Sequence, residues 1–328
     1  MLPVFAAIVA ASTAILIFAG GMVTSHGAGL SVPDWPNTYG WFMFSFPVDK
    51  WVGGIFYEHS HRLIASTVGF LIVILAFWLW RAESRAWVRR LGFIALGAVI
   101  AQGILGGITV LWYLPDAISI AHASLAEIVF CLTVTIALVT SPGWRRGYAA
   151  GLPDDRVLQK LAIATTATVY VQILLGATMR HTDAGLAIPD FPLAFGHLIP
   201  PYWDGKIAIH FAHRVGALCV TAMILATTGH VFYHHRGRTE LRRPAMLLLG
   251  LVALQITLGG LTVLSGRQPT INSLHVVTGA SVLVTSLVLT LRAHRARFGE
   301  GALGAPVPRH PRSGRDPLST AAKAGAHA

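Results

Sequence analysis

Apolar residues in this chain gather into eight long runs, separated by connections that carry most of the polar, basic and aromatic residues. The runs cover residues 3–24, 63–80, 91–112, 118–140, 158–179, 208–233, 244–264 and 273–291. A helix of about 20 apolar residues crosses the hydrocarbon core of a bilayer, and each run has about that length. The pattern therefore predicts an all-α integral membrane protein with eight transmembrane helices.

The composition is that of a chain whose surroundings are mostly lipid. Of its 328 residues, 54% are hydrophobic and only 12% are charged, and the mean hydropathy is +0.62. A soluble domain carries about 25% charged residues, so a soluble globular fold is excluded. The two cysteines, Cys131 and Cys219, lie in apolar runs and form no CxxC pair, so no thiol redox centre or cysteine zinc site is indicated.

The basic residues are distributed unevenly between the two sides of the predicted membrane. All but six of the 25 Lys and Arg residues lie after the second, fourth and sixth runs or in the C-terminal segment. The positive-inside rule therefore predicts that both termini are cytoplasmic. This orientation also accounts for the net charge of +11, so no nucleic-acid partner is expected. Because no transit segment precedes the first run, a bacterial-type plasma (inner) membrane is the expected location.

The sequence of the first half recurs in the second half. Residues 29–36 (GLSVPDWP) recur as 185–192 (GLAIPDFP), residues 102–110 (QGILGGITV) as 255–263 (QITLGGLTV), His61-Arg62 as His213-Arg214, and His122 as His275. Four spans per repeat make both halves enter the membrane in the same direction. The duplication predicts two tandem four-helix bundles related by a pseudo-two-fold axis along the membrane normal. The predicted divisions are a first bundle at 1–144, a cytoplasmic linker at 145–157, a second bundle at 158–293 and a disordered cytoplasmic tail at 294–328.

Two long outward loops and two glycine pairs belong to this repeat. The loops at 25–57 and 181–207 are rich in Trp, Phe, Tyr and Pro, which is typical of lids at the membrane interface. The glycine pairs at 106–107 and 259–260 favour close packing of helices. Room for a flat macrocycle is the alternative interpretation of these pairs.

Four histidines are expected near the outward ends of the even-numbered spans: His61, His122, His213 and His275. Intramembrane ionisable residues are costly and indicate function, above all when a pair is repeated in both halves. Two imidazoles per bundle are too few for a closed zinc site, but they suit the axial positions of haem iron. Arg62 and Arg214 directly follow two of these histidines and are candidates for binding haem propionates. Snorkelling of both arginines to lipid headgroups is the alternative.

The two halves differ at one position beside these histidines. Glu58 lies three residues before His61, on the same helix face, and its counterpart in the repeat is His210. A carboxylate beside only one haem site suggests that chemistry occurs in the first half and electron transfer in the second. Glu58 is therefore the candidate catalytic residue, with anchoring of Arg62 or orientation of His61 as the alternative role.

These motifs together resemble the haem A synthase family, which comprises bacterial enzymes and mitochondrial assembly factors for cytochrome oxidase. The resemblance covers about residues 3–292 and rests on the loop motif, the EHSHR sequence at 58–62, the Gln102 and Gly106–Gly107 motif, His122 and their second-half copies. Many members carry a cysteine pair in the first outward loop. Residues 25–57 contain no cysteine, so a thiol-dependent role of this loop is not expected here.

The resemblance implies oxidation of the C8 methyl of haem O to a formyl group by successive hydroxylations, which gives haem A. It implies that His213 and His275 bind haem B as a cofactor, and that substrate haem O lies near Glu58, His61 and His122. Expected partners are haem O, haem A and membrane lipid, with haem O synthase and cytochrome oxidase assembly proteins as candidates.

Two other classes of protein remain open from the residues alone. A duplicated b-type cytochrome with two bis-histidine haems would also use all four histidines, but Glu58 and the unequal halves count against it. A transporter with parallel repeats would carry broken helices at mid-depth. The polar residues here cluster at the outward ends of the spans instead.

Overall fold

The computed structural model describes residues 1–145 and 155–295, and these residues form an all-helical protein. Most of the predicted linker, and the predicted tail from residue 296 onward, lie outside the described residues. Eight helices are long and apolar enough to cross a membrane, as the sequence predicts. They are α1 (Leu2–Ser25), α2 (Gly54–Ala82), α3 (Ala86–Leu111), α4 (Asp116–Thr140), α6 (Arg156–His181), α7 (Gly205–His234), α8 (Thr239–Leu264) and α9 (Pro269–Ala293), with a four-residue helix α5 (Pro142–Arg145) after α4.

Helix α2 begins well before the apolar run that predicts it. The run starts at residue 63, whereas the helix starts at Gly54. The first turns carry Glu58, His59 and Arg62, which lower the hydropathy but find partners inside the protein. His61 therefore lies about two turns inside the helix and not at its start.

The order of helix neighbours is the same in the two halves. In the first half α1 packs on α2 and α4, and α3 packs on α2 and α4. In the second half α6 packs on α7 and α9, and α8 packs on α7 and α9. This arrangement is compatible with the predicted tandem bundles. The halves meet where α1 packs on α9 and where α4 packs on α6 and α9.

Each half has its own apolar core, and a third cluster joins them. The first core contains Ile72, Leu79 and Ile136, the second contains Ile224, Leu248 and Leu283, and the joining cluster contains Ile17, Phe130, Ala280 and Val284. Large apolar side chains such as Phe70, Phe77 and Leu218 point outward and are exposed. An outward apolar surface is what a helix bundle presents to lipid hydrocarbon.

A buried carboxylate ties together the ends of three helices on the side opposite the histidines. Glu83 follows α2, and its side chain is only 1% exposed. Its Oε1 accepts a hydrogen bond from Arg85 at 2.9 Å, and its Oε2 accepts one from Arg145 at 2.6 Å. These hydrogen bonds, that from Arg85 foremost, lower the pKa of Glu83 to about 2. The carboxylate therefore stabilises the fold as long as it is ionised.

We expect Glu83→Gln to destabilise the protein by about 3 kcal/mol at neutral pH, because it leaves two arginines without their charged partner. The folded-state pKa lies below the ordinary value of 4.5, so this stabilisation is present above pH 4.5 and is lost as the pH falls toward 2. Thermal unfolding midpoints of wild type and variant in detergent should therefore converge between about pH 6 and about pH 3.5. A constant difference over this range would contradict the assignment.

Candidate functional site

Each of the four histidines lies against a glycine of a neighbouring helix. A Cβ atom at the glycine would be only 3.0–3.1 Å from Cε1 of the histidine ring, which is closer than such atoms ordinarily approach. The pairs are His61 with Gly20 of α1, His122 with Gly106 of α3, His213 with Gly176 of α6, and His275 with Gly259 of α8. The missing side chains therefore provide the space in which the four imidazoles are held.

Gly20 and Gly176 are site residues that the hydropathy and histidine patterns do not predict. They lie 156 positions apart, the same offset that relates the two copies of the loop motif. The internal repeat is therefore the sequence feature that relates these two glycines. Their role depends on the packing of α1 on α2 and of α6 on α7, which hydropathy does not report.

Three of the four histidines also meet a glutamine, which lies four residues before the glycine on the same helix. The Nε2 atom of Gln102 donates to the His122 carbonyl at 2.9 Å, Gln172 Nε2 donates to the His213 carbonyl at 2.8 Å, and Gln255 Nε2 lies 3.4 Å from His275 Nε2. The corresponding position on α1 is Leu16, so His61 has no such partner there. The first half is thus less polar around one of its two histidines.

The two histidine rings of the second half are close enough together to bind one iron ion between them. The ring centroids of His213 and His275 are 6.5 Å apart. A metal–imidazole bond is about 2 Å long, and the ring centre lies about 1 Å beyond the nitrogen, so imidazoles on opposite sides of one ion have centres about 6 Å apart. Among the described residues, no group forms a hydrogen bond with the buried Nδ1 atom of His275, His61 or His122. These donor sets fit haem iron.

The second glycine of each pair receives an aromatic side chain of the loop above it. A Cβ atom at Gly107 would lie 2.7 Å from the Trp35 ring, and one at Gly260 would lie 2.8 Å from the Phe191 ring. The interpretation of the glycine pairs as helix-packing motifs is therefore incomplete. The first glycine of each pair makes room for a histidine, and the second makes room for the loop.

An aspartate organises each loop from within. Asp34 accepts hydrogen bonds from the backbone N–H groups of Tyr39 and Gly40 at 2.7 and 2.8 Å. Burial favours the protonated carboxyl, but these hydrogen bonds prevail and lower the pKa of Asp34 below its ordinary value. The equivalent bonds in the second loop run to Asp190 from the backbone N–H groups of Phe195 and Gly196 at 2.7 and 2.8 Å.

The two candidate propionate ligands hold the loops onto the bundles. All four terminal N–H hydrogens of Arg62 are used: they reach the carbonyls of Val32, Asp34 and Asn37 and the carboxylate of Glu58 at 2.6–2.9 Å. Arg214 donates to the carbonyls of Ile188, Asp190 and Leu193 at 2.6–3.2 Å, and its buried Nε has no partner in the part of the chain that the structure describes. Only Nε of Arg62 remains for another acceptor, since guanidinium has five N–H groups.

Glu58 and His210 make the same loop contact in the two halves. Both are buried, at 3% and 2% exposure. Glu58 Oε2 accepts a hydrogen bond from the Val32 backbone at 2.7 Å, and His210 Nδ1 accepts one from the Ile188 backbone at 3.2 Å. Glu58 differs in its ion pair with Arg62, at 2.6 Å. These contacts show that the Glu58 carboxylate anchors the first loop. Glu58 also carries a charge that the second half lacks at the equivalent contact.

A further arginine, Arg180 near the end of α6, bridges the two halves. It donates to the Gly21 carbonyl at 2.8 Å and to the Ser25 hydroxyl at 2.9 Å, both on α1. Its counterpart in the repeat is Thr24. Because the repeat does not preserve this residue, no pattern in the sequence indicates it.

The family of this chain follows from comparison with known proteins. Residues 3–288 match the profile of the COX15-CtaA family, which is described as cytochrome oxidase assembly protein. The chain belongs to this family. The matched residues include the four histidines, Glu58 and both loops.

Curated relatives of this COX15-CtaA member cover most of its length. A protein of Symbiobacterium thermophilum named Heme A synthase is 32% identical over 76% of this chain and 83% of its own length. Proteins with the same name from Geobacillus kaustophilus and Halalkalibacterium halodurans are 27% and 29% identical. They cover 89% and 87% of this chain and 92% and 94% of their own lengths. The likeness extends over both halves, and not over one repeat alone.

Proposed function

We propose that this protein is a haem A synthase, an oxidoreductase that converts the C8 methyl of haem O into the formyl group of haem A. The observation that carries the proposal is the pair of glycine-backed histidines in each half, together with the buried Glu58 three residues before His61 on α2, whose counterpart in the second half is His210. Membership of the COX15-CtaA family and the names of the relatives support it.

In this proposal the first half holds the substrate. His61 and His122 project from α2 and α4, and they ligate the iron of haem O, together or singly. Gly20 and Gly106 leave the space that the two rings occupy. Trp35 and the rest of the first loop lie over this end of the bundle and exclude water from it.

Glu58 is the proposed catalytic residue. Each hydroxylation of the methyl carbon would remove two electrons, which pass to the acceptor, and two protons, and would add one oxygen atom from a water molecule. Positive charge develops beside the macrocycle as the electrons leave. A fixed carboxylate in a site with little water stabilises such charge and accepts a proton. Its two hydrogen bonds, from Val32 and Arg62, hold the carboxylate in one place beside His61. The same bonds support the alternative, that Glu58 serves only to anchor the loop.

In the second half, His213 and His275 would hold haem B. Bound there, haem B supplies one-electron transfer between the substrate site and an external acceptor. Gln172 contacts both the carbonyl and the ring of His213, and it thereby orients the imidazole. His210, the counterpart of Glu58, leaves this half without a carboxylate at the loop contact.

The roles of Arg62 and Arg214 follow from their contacts. We infer that each arginine first holds its loop closed over the histidines. The donors that these contacts leave for a propionate are Nε of Arg62, and the buried Nε and one Nη1 hydrogen of Arg214. A propionate that bound more of either guanidinium would compete with the loop carbonyls, so binding of haem would be coupled to loop position.

The eight apolar helices make the chain an integral membrane protein. We infer that it lies in a bacterial plasma membrane, with both termini cytoplasmic and the histidines near the outward face. The distribution of Lys and Arg supports this orientation. Haem O synthase and assembly proteins of cytochrome oxidase are the proposed partners, since one would supply the substrate and the others would receive the product.

The test is to express the chain in cells that make haem O but lack haem A synthase, and to separate the extracted haems by chromatography. We expect haem A in the membranes, and haem B with haem O or haem A in the purified protein. Haem B without any haem A would contradict the proposal and favour a b-type electron carrier. A colourless, folded protein would favour a transporter.

A further inference from the structure

Three ionisable side chains converge at the end of the second half that lies away from the haem histidines. Asp155 directly precedes α6, His230 lies in the last turns of α7, and His235 directly follows α7. His230 is 17 residues beyond His213 on the same helix, which places it about 25 Å away. The proposed haem chemistry therefore does not account for this cluster.

The cluster has the geometry of a ligand set. Nε2 of His230 and Nε2 of His235 lie 2.7 and 2.8 Å from the same oxygen, Oδ2 of Asp155. The three atoms all lie within 4.8 Å of one another, and the three side chains are at most 20% exposed. The other carboxylate oxygen, Oδ1, accepts the backbone N–H of Leu158 at 2.9 Å, which fixes the orientation of the carboxylate.

We propose that Asp155, His230 and His235 bind one divalent transition-metal ion, with Zn²⁺ as the best-matched ion. Two imidazole nitrogens and one carboxylate oxygen are ligands that zinc prefers, whereas magnesium and calcium prefer oxygen alone. Three protein ligands leave a fourth position for water. The hydrogen bond from Leu158 to Oδ1 is the kind of outer contact that holds a ligating carboxylate in place.

Binding requires only a small movement of the side chains. Ligand atoms of a tetrahedral zinc site are about 3.4 Å apart, so each imidazole would move away from Oδ2 by about 0.6–0.7 Å. Each ring would present the lone pair of Nε2 to the metal, with its proton on Nδ1. The bound ion would then join the beginning of α6 to the end of α7, and it would stabilise the folded state by binding to it selectively.

The experiment uses the full-length chain, purified in detergent without a polyhistidine tag, and titrates it with ZnCl₂ in a calorimeter. We expect one Zn²⁺ per chain at this site and no comparable binding of MgCl₂. Asp155→Asn and His235→Gln should each weaken zinc binding at least about tenfold. Asn remains a good N-cap residue, so Asp155→Asn preserves the start of α6 and tests the site even if His235→Gln does not fold.

His197→Gln is the matched control, because His197 is an exposed histidine of the second loop, outside the cluster. It should bind zinc like the wild type. Zinc should also raise the thermal unfolding midpoint of wild type and His197→Gln, but not that of Asp155→Asn. If the wild type did not bind zinc, the three side chains would form a hydrogen-bonded triad and not a metal site. Equal zinc affinity in Asp155→Asn and wild type would place the bound zinc elsewhere, and either result overturns the proposal.

Discussion

Glu58→Gln should lower haem A production at least about 100-fold while leaving haem B bound, because removal of one acid–base group typically costs that much rate. The glutamine keeps an oxygen that can accept the Val32 N–H, so the loop contact survives. It loses the charge that pairs with Arg62. The measurement is haem A per chain in cells that supply haem O, together with haem O and haem B retained by the purified variant.

Two variants separate a chemical role of Glu58 from a purely anchoring one. Arg62→Gln breaks the same ion pair but keeps the carboxylate, and it should release haem O more readily than Glu58→Gln does. His210→Gln changes the equivalent loop contact in the second half and should preserve oxidation as long as haem B is retained. Near-normal haem A from Glu58→Gln would exclude the chemical role and leave loop anchoring as the function of this residue.

His213→Leu and His275→Leu should each remove the low-spin spectrum of haem B and lower bound haem B at least about tenfold. Leucine fills a similar volume but has no lone pair for iron. The two rings lie at the separation expected of axial ligands, so the loss of either leaves an incomplete pair. Optical spectra of the purified variants and extracted haem per chain are the two measurements.

His61→Leu is the matched control in the first half, since it also removes a glycine-backed histidine. This variant should keep the low-spin haem B spectrum and lose retention of substrate haem. If His213→Leu and His275→Leu both kept a full complement of low-spin haem B, the second half would not be the cofactor site. Equal spectral losses in all three variants would argue against a division of roles between the halves.

The two outward loops show which contacts the internal repeat predicts and which it does not. The two copies of the GLxxPDxP motif predict that both loops have one structure, and Asp34 and Asp190 indeed make the same two backbone hydrogen bonds. The partners of Trp35 and Phe191 could not be predicted in the same way. Each aromatic ring meets a glycine on a helix far along the chain, and the identity of that glycine depends on how the loop folds back.

The sequence by itself determined the eight spans, the all-helical architecture and the four repeated histidines. These features depend on the hydropathy of short segments and on similarity between segments, and both can be read without coordinates. Their haem-binding roles stay predictions. The start of α2 was misplaced because hydropathy does not register polar side chains that find partners inside the protein.

Only the tertiary structure decided which residues face one another. In the folded protein Gly20 lies against His61, and Arg62 donates hydrogen bonds to the loop carbonyls. Asp155 contacts His230 and His235, which are 75 and 80 residues further along the chain. Such contacts form because packed helices bring together side chains that no local pattern relates. The chemistry of the site therefore depends on the packing of the helices, whereas its position in the membrane depends on the sequence of each helix.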